Sequence, residues 1–179
     1  MQASDKIRII ATGGTIDKIY FDAKSEFQVG DPQVHTILDE ANIDVPYLVQ
    51  SLFRKDSLDL TDEDRQAIRA AVEQSPERLI LITHGTDTMT ETAKCLENIK
   101  DKTIIMTGSM EPARIRNSDA IFNVGAAVAA VHLLPPGVYL TMNGRIFRAG
   151  KVRKNRETRS FEPTVTDGIA RFPFDSSGQ

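Results

Sequence analysis

Two threonine-rich loops and one basic run hold the side chains able to do chemistry in this sequence. The first loop is Ala11-Thr12-Gly13-Gly14-Thr15-Ile16-Asp17, and the second is Ile82-Thr83-His84-Gly85-Thr86-Asp87-Thr88-Met89-Thr90-Glu91-Thr92. The basic run is Lys151-Val152-Arg153-Lys154-Asn155-Arg156. A threonine hydroxyl has a high pKa and becomes a nucleophile only beside a base, so threonines next to Asp87 and a lysine from the basic run would make a working relay. Gly13 and Gly14 let main-chain amides come close to a ligand, and Thr15 follows them directly. The pattern fits neither the G-x-G-x-x-G dinucleotide fingerprint nor the phosphate loop with its lysine. Each segment alone has a plainer reading: a Gly-Gly-Thr turn is often only a turn, Thr86 or Asp87 caps a helix, and a basic run is a solvated face. Their joint occurrence is what points to a site.

That site requires elements that bring the segments together. Four continuous apolar runs, Ile7-Arg8-Ile9-Ile10, Leu79-Ile80-Leu81-Ile82, Thr103-Ile104-Ile105-Met106 and Val138-Tyr139-Leu140-Thr141, read as buried strands of a parallel sheet. A fifth strand is expected near Tyr47 to Phe53. Thr61 with Asp62, Glu63 and Asp64 signals a helix start, followed by Ile68, Ala71 and Val72 at helical spacing. Further helices are expected over Asp87 to Ile99 and Asp119 to Leu133, the latter ended by Pro135-Pro136-Gly137. The expected fold is α/β, an open and mostly parallel sheet with helices on both faces, Rossmann- or flavodoxin-like. Both loops then leave the carboxyl ends of strands, where ligands bind in such sheets. One unit over residues 1–179 is expected, with Asp167 to Gln179 loosely held.

The 179 residues, 40% hydrophobic and 26% charged with a net charge of -3, describe an ordinary globular protein. No strongly basic face recommends nucleic acid, and the run Ile7 to Ala11 is too short for a signal or a membrane span. A single cysteine, Cys95, makes no internal disulfide, so a cytoplasmic setting is expected. His35, His84 and His132 show no metal spacing, so neither metal nor cofactor is implied. His132 is expected in the core and His84 to orient its loop.

On these segments the chain resembles the bacterial-type L-asparaginase/glutaminase family, from about Ile7 to about Pro163. The T-G-G-T-I signature stands at Thr12 to Ile16 and the H-G-T-D-T-M-x-E-T signature at His84 to Thr92. Family-like stretches continue at Thr107-Gly108-Ser109-Met110 with Pro112, Asn117-Ser118-Asp119 to Asn123, Met142-Asn143 and Val152-Arg153-Lys154. The resemblance implies an asparaginase N-terminal type of domain that splits L-asparagine into aspartate and ammonia. It implies Thr15 as nucleophile, Thr86, Asp87 and Lys154 as the relay, and Ser57 as a ligand for the substrate α-carboxylate. Gly14, Gly85, Ser109 and Met110 would line the substrate site, with Asp87 and Asp56 available to its ammonium.

Three departures stand out. Leu58 replaces the family's glutamine, and Phe27 falls where many members have a tyrosine that assists the nucleophile. Tyr20, in the same expected loop Ile19 to Gly30, is the candidate to supply that hydroxyl, the alternative being a loop anchor. The chain also stops before the family's C-terminal domain, so a short form reduced to the catalytic domain is expected. A homodimer or homotetramer is expected by analogy, with the Asp119 to Leu133 helix as a candidate interface. Glutamine hydrolysis, an ammonia-supplying amidotransferase subunit and a binding module without turnover remain as alternatives.

Overall fold

Strands without polar alternation must be covered on both faces, and the fold meets that demand with helices above and below one sheet. The computed structural model describes residues 6–170. In chain order the elements are β1 (Ile7–Gly13), β2 (Lys18–Phe21), β3 (Glu26–Val29), α1 (Val34–Glu40), β4 (Tyr47–Lys55), α2 (Asp62–Gln74), β5 (Leu79–Thr83), α3 (Met89–Leu96), β6 (Thr103–Thr107), α4 (Ala120–Leu133), β7 (Gly137–Met142), β8 (Arg145–Arg148), β9 (Val152–Asn155) and β10 (Ser160–Pro163). Short 3-10 turns lie at Thr15–Asp17 and Ser57–Asp59.

The main sheet runs β4-β1-β5-β6-β7-β8, parallel throughout except for the antiparallel β7–β8 pair. The chain steps from β1 outward to β4, then crosses back to place β5 on the other side of β1. That reversal makes a topological switch point, and the crevice beyond the carboxyl ends of β1 and β5 is the place such sheets bind ligands. Thr12–Asp17 and His84–Asp87 emerge there.

Alternate residues of each strand feed two cores. Ile80 and Ile82 join Ile10, Ile68, Val72, Met89 and Leu96 on the α2–α3 face, while Leu81 joins Ile7, Ile9, Leu38, Val124 and Val131 on the α1–α4 face. The α2 start has the expected form: the Asp64 amide donates to Thr61 Oγ1 at 3.2 Å and the Thr61 amide to Asp64 Oδ2 at 3.0 Å.

Several features lie outside the expectations. The expected loop Ile19 to Gly30 lies largely in a hairpin, with Tyr20 directly opposite Phe27. The helix α1 is only seven residues long, and its apolar spacing, Val34, Ile37 and Leu38, is too brief to stand out. Ile146 and Phe147 belong to β8, which turns back antiparallel on β7 through Asn143 and Gly144, both at positive φ (54° and 72°). His132, expected in the core, is exposed, because it falls on the outer side of α4 while Ala127, Ala130 and Val131 face the sheet. Within the stretch expected to be loosely held, residues 167–170 are tied down: the Arg148 amide donates to Gly168 O, the Ala170 amide to Ile146 O, and Lys151 pairs with Asp167. Residues 171–179 lie outside the described residues.

Leu81 is fully buried in the α1–α4 core of the central strand. Leu81→Ala is expected to cost about 2–5 kcal/mol in equilibrium denaturation. A loss below about 1 kcal/mol would mean that this face of the sheet is not closely packed.

Candidate active site

The site begins with main chain meeting main chain. Gly13 and Gly14 both take positive φ, 98° and 88°, which turns the end of β1 over the neighbouring strands. The Gly14 amide donates to Lys55 O of β4 at 2.9 Å. A Cβ on Gly14 would lie 2.4 Å from the Gly85 Cα, and a Cβ on Gly85 would lie 2.5 Å from Ser57 Oγ. Three segments therefore touch at positions that hold no larger side chain. Thr15 and Thr86 each follow one of the two touching glycines. The two sequence loops thus meet, and Ser57 joins them.

The basic run supplies one inward lysine. Lys154 on β9 donates from Nζ to Thr86 Oγ1 at 2.8 Å and to Asp87 Oδ1 at 2.9 Å. Its side chain is 14% exposed and that of Asp87 33%, so the pair is partly withdrawn from water, where charge-assisted bonds strengthen. Neither Thr86 nor Asp87 caps α3; Thr88 stands at that position, with no side-chain capping bond, and donates its hydroxyl to Ser57 O at 2.8 Å. The plainer capping reading of Thr86 and Asp87 is thereby set aside. Lys151 instead pairs with Asp167 and Arg153 with Glu162, both away from the relay. Thr15 is half-buried, and no hydrogen bond joins its hydroxyl to this set among the described residues.

Ser57 is buried, and its Oγ has no hydrogen-bond partner among the described residues. An unpaired hydroxyl costs free energy unless something fills its place, which suits a ligand oxygen. Asp56 is not a free carboxylate: Lys18 pairs with it at 2.9 Å. Burial works against its charge, but Lys18 and the amides of Leu58 and Ser57 outweigh it and hold the carboxyl below its ordinary range. Lys18 was not singled out in the sequence, although it directly follows the first loop. Leu58 is 64% exposed and offers the cleft nothing polar.

His84 is fully buried. Its Nδ1 lies 2.7 Å from Gly85 O and its Nε2 2.8 Å from Thr92 Oγ1, so the ring braces the loop, the role expected of it. Burial drives its pKa down to about 4, against the pull of Gly85 O. Ser109 is buried and donates to Glu111 O at 2.5 Å. The Met110 amide donates to both Asp119 carboxylate oxygens at 3.0 Å, and the Gly14 amide is held by Lys55 O. Those two amides are therefore not available to an oxyanion. Among the described residues the amides of Thr86 and Asp87, just ahead of α3, have no main-chain acceptor. Met110 approaches the relay by its sulfur, 3.8 Å from Thr86 Oγ1. Tyr20 is 54% exposed and packs edge-on against Phe27. Among the described residues no group of His, Cys, Asp and Glu forms a metal site.

Comparison with known proteins finds relatives for the chain and its fold. The family model "Asparaginase, N-terminal" matches residues 6–170. The glutaminase-asparaginase of Acinetobacter glutaminasificans is 32% identical over 177 residues, covering 88% of this chain and 52% of that protein. Among solved structures, the thermostable L-asparaginase from Thermococcus kodakarensis superposes with a TM-score of 0.78 at 24% identity, over 97% of this chain and 58% of that one. L-asparaginase I from Vibrio cholerae O1 biovar eltor str. N16961 gives 0.75 at 28%, over 90% and 52%. The chain thus spans about half the length of the curated relatives it matches.

Because the unfolded chain takes up a proton at His84 first, the contribution of this neutral ring to stability should be complete above about 6.5 and decline as the pH falls from there toward 4. The C2-proton NMR signal of His84 is expected to stay constant from neutral pH down to about 5. A titration centred near 6.5 would contradict a buried neutral ring.

Proposed function

The chain belongs to the asparaginase family, and from that premise we propose that it splits the side-chain amide of L-asparagine with Thr15 as the nucleophile. The observation that carries this reading is Lys154, bonded to Thr86 Oγ1 at 2.8 Å and to Asp87 Oδ1 at 2.9 Å, beside the Gly14–Gly85 contact that presents Thr15. Lys154 donates to the oxygen of Thr86, and that hydroxyl's own proton points to the weak acceptor Met110 Sδ at 3.8 Å, a contact a substrate would displace.

In the proposed reaction Thr15 Oγ1 attacks the amide carbon as its proton passes to a neighbouring hydroxyl that hands its own on to the relay, Tyr20 being the candidate once the exposed hairpin bends inward. The departing nitrogen takes a proton through the relay and leaves as ammonia. Water then cleaves the acyl-threonine to aspartate and restores the hydroxyl. The Thr86 and Asp87 amides receive the oxyanion, and Ser57 Oγ receives the substrate α-carboxylate. Gly14, Gly85, Ser109 and Met110 shape the walls. Asp87 pairs with the ammonium, while Asp56 contributes less because Lys18 already occupies it.

Glutamine is a second substrate reading, favoured by the name of the Acinetobacter relative. We further propose assembly as a homodimer or homotetramer, supported by the exposure of Ile121 (55%), Phe122 (63%) and Leu133 (59%) on or near α4. Among the described residues no helix is long and apolar enough to cross a membrane, and the single Cys95 supports the cytoplasm as the proposed location.

Ammonia release from L-asparagine and L-glutamine tests the assignment. Thr15→Ala is expected to lose at least about 10³-fold in turnover, and Lys154→Met about 10²–10⁴-fold. Near-normal turnover in Thr15→Ala would remove the nucleophile. Ligand-induced thermal stabilisation of the wild-type chain without ammonia would favour a binding module instead.

A further inference from the structure

Asp17 ends the turn that begins with Thr15, and it is a carboxylate in an unusual place. It is 1% exposed, and its side chain accepts one hydrogen bond, from the Gln33 amide at 2.8 Å. Its main-chain oxygen accepts from the Gly30 amide at 2.8 Å. The two bonds therefore fasten Gly30–Gln33, where the chain returns from the β2–β3 hairpin, under the Thr15 turn. A third bond fixes the same turn from the opposite side, the Ala113 amide donating to Ile16 O at 3.1 Å.

The charged groups around this point are engaged elsewhere. Asp31 pairs with Arg54 of β4 at 2.6 Å, and Lys18 pairs with Asp56. Arg114, from the segment after Met110, donates to Gln33 Oε1 at 2.9 Å. Asp17 has no ion pair of its own among these groups. A single amide does not replace the water around a charged carboxylate.

We propose that Asp17 is a positioning residue for the Thr15 turn, clasping the hairpin return at Gly30–Gln33 and loosening that clasp when its carboxylate ionises. The catalytic side of this inference rests on reading Thr15 as the nucleophile; the clasp itself does not. Burial, the largest influence, lifts the carboxyl from 3.8 to about 7, opposed by the Gln33 amide and aided by Asp31. The closed form therefore prefers a neutral Asp17. Its stabilisation is full below about 3.8 and is lost as the pH rises toward about 7, so opening the hairpin to water becomes easier over that range. The exposed aromatic residues of the hairpin, Tyr20, Phe21 and Phe27, move with it.

Amide hydrogen exchange at Gly30 and Gln33 in the full chain, corrected for intrinsic rates and followed from about pH 5 to about pH 9, tests the clasp without reference to turnover. Protection is expected to fall more than about tenfold between about pH 5 and about 7 in the wild type and to level off above that. In Asp17→Asn, which keeps an acceptor for Gln33 but cannot ionise, protection should not change with pH, and the kcat/KM profile should lose the matching limb. Constant protection in the wild type, or the same fall in Asp17→Asn, would overturn the proposal. If the wild type released no ammonia from any amide, the exchange result would still decide the clasp, and only the reading of Thr15 would fail.

Discussion

Main-chain contact between Gly14 and Gly85, with the Ser57 side chain against Gly85, is the constraint on which the site depends. A Cβ at Gly14 would stand 2.4 Å from the Gly85 backbone, and one at Gly85 would stand 2.5 Å from the Ser57 side chain. No rotamer change relieves the first of these overlaps, which is with backbone. The contact is reached only because β1 and β5 are adjacent at the point where the sheet reverses its order, with β4 on the far side of β1. Positive φ at Gly13 and Gly14 then bends the first loop onto the second. That packing brings the segments of Thr15, Thr86 and Ser57 to one place at the sheet edge.

Electrostatics completes what the backbone begins. The acids near the cleft are matched to lysines from distant parts of the chain, Asp87 to Lys154 and Asp56 to Lys18, so partial burial does not leave either carboxylate unpaired. Asp119 is satisfied differently, by the amides of Met110 and Glu111 and by Asn123, which fixes the wall that carries the Met110 sulfur. His84, neutral and bonded at both nitrogens, stiffens the second loop without adding charge. Asp17 and Ser57 stand apart from this pattern. One is a buried carboxyl with a single side-chain bond, the other a buried hydroxyl with none among the described residues, and both border the Thr15 turn or the cleft.

Much of this architecture was readable in the residues. The runs at Ile7, Leu79, Thr103 and Val138 are apolar without alternation because both faces of each strand are covered, and Thr61 with three following acids marks α2. The glycines at 13, 14 and 85 marked where chain segments approach closely, though only coordinates show that 14 and 85 approach each other. Pairings over long sequence distances were less accessible: nothing local in Lys154 distinguishes it from Lys151, which lies before β9 and pairs with Asp167, and within β9 it is Lys154 rather than Arg153 that reaches Asp87. The hairpin of Tyr20 and Phe27 was missed because its strands are only four residues each and half exposed, too short to stand out from a loop. His132 was misplaced since an alanine-rich helix shows little difference between its faces, so its sequence did not mark the outer side.

The most direct measurement is a crystal structure of the chain with L-aspartate bound. The account places the ligand's side-chain carboxylate between the hydroxyls of Thr15 and Thr86, within reach of Lys154, and its α-carboxylate on Ser57 Oγ. Aspartate bound at another surface, or Thr15 and Lys154 opening into separate cavities with the ligand in only one, would contradict it.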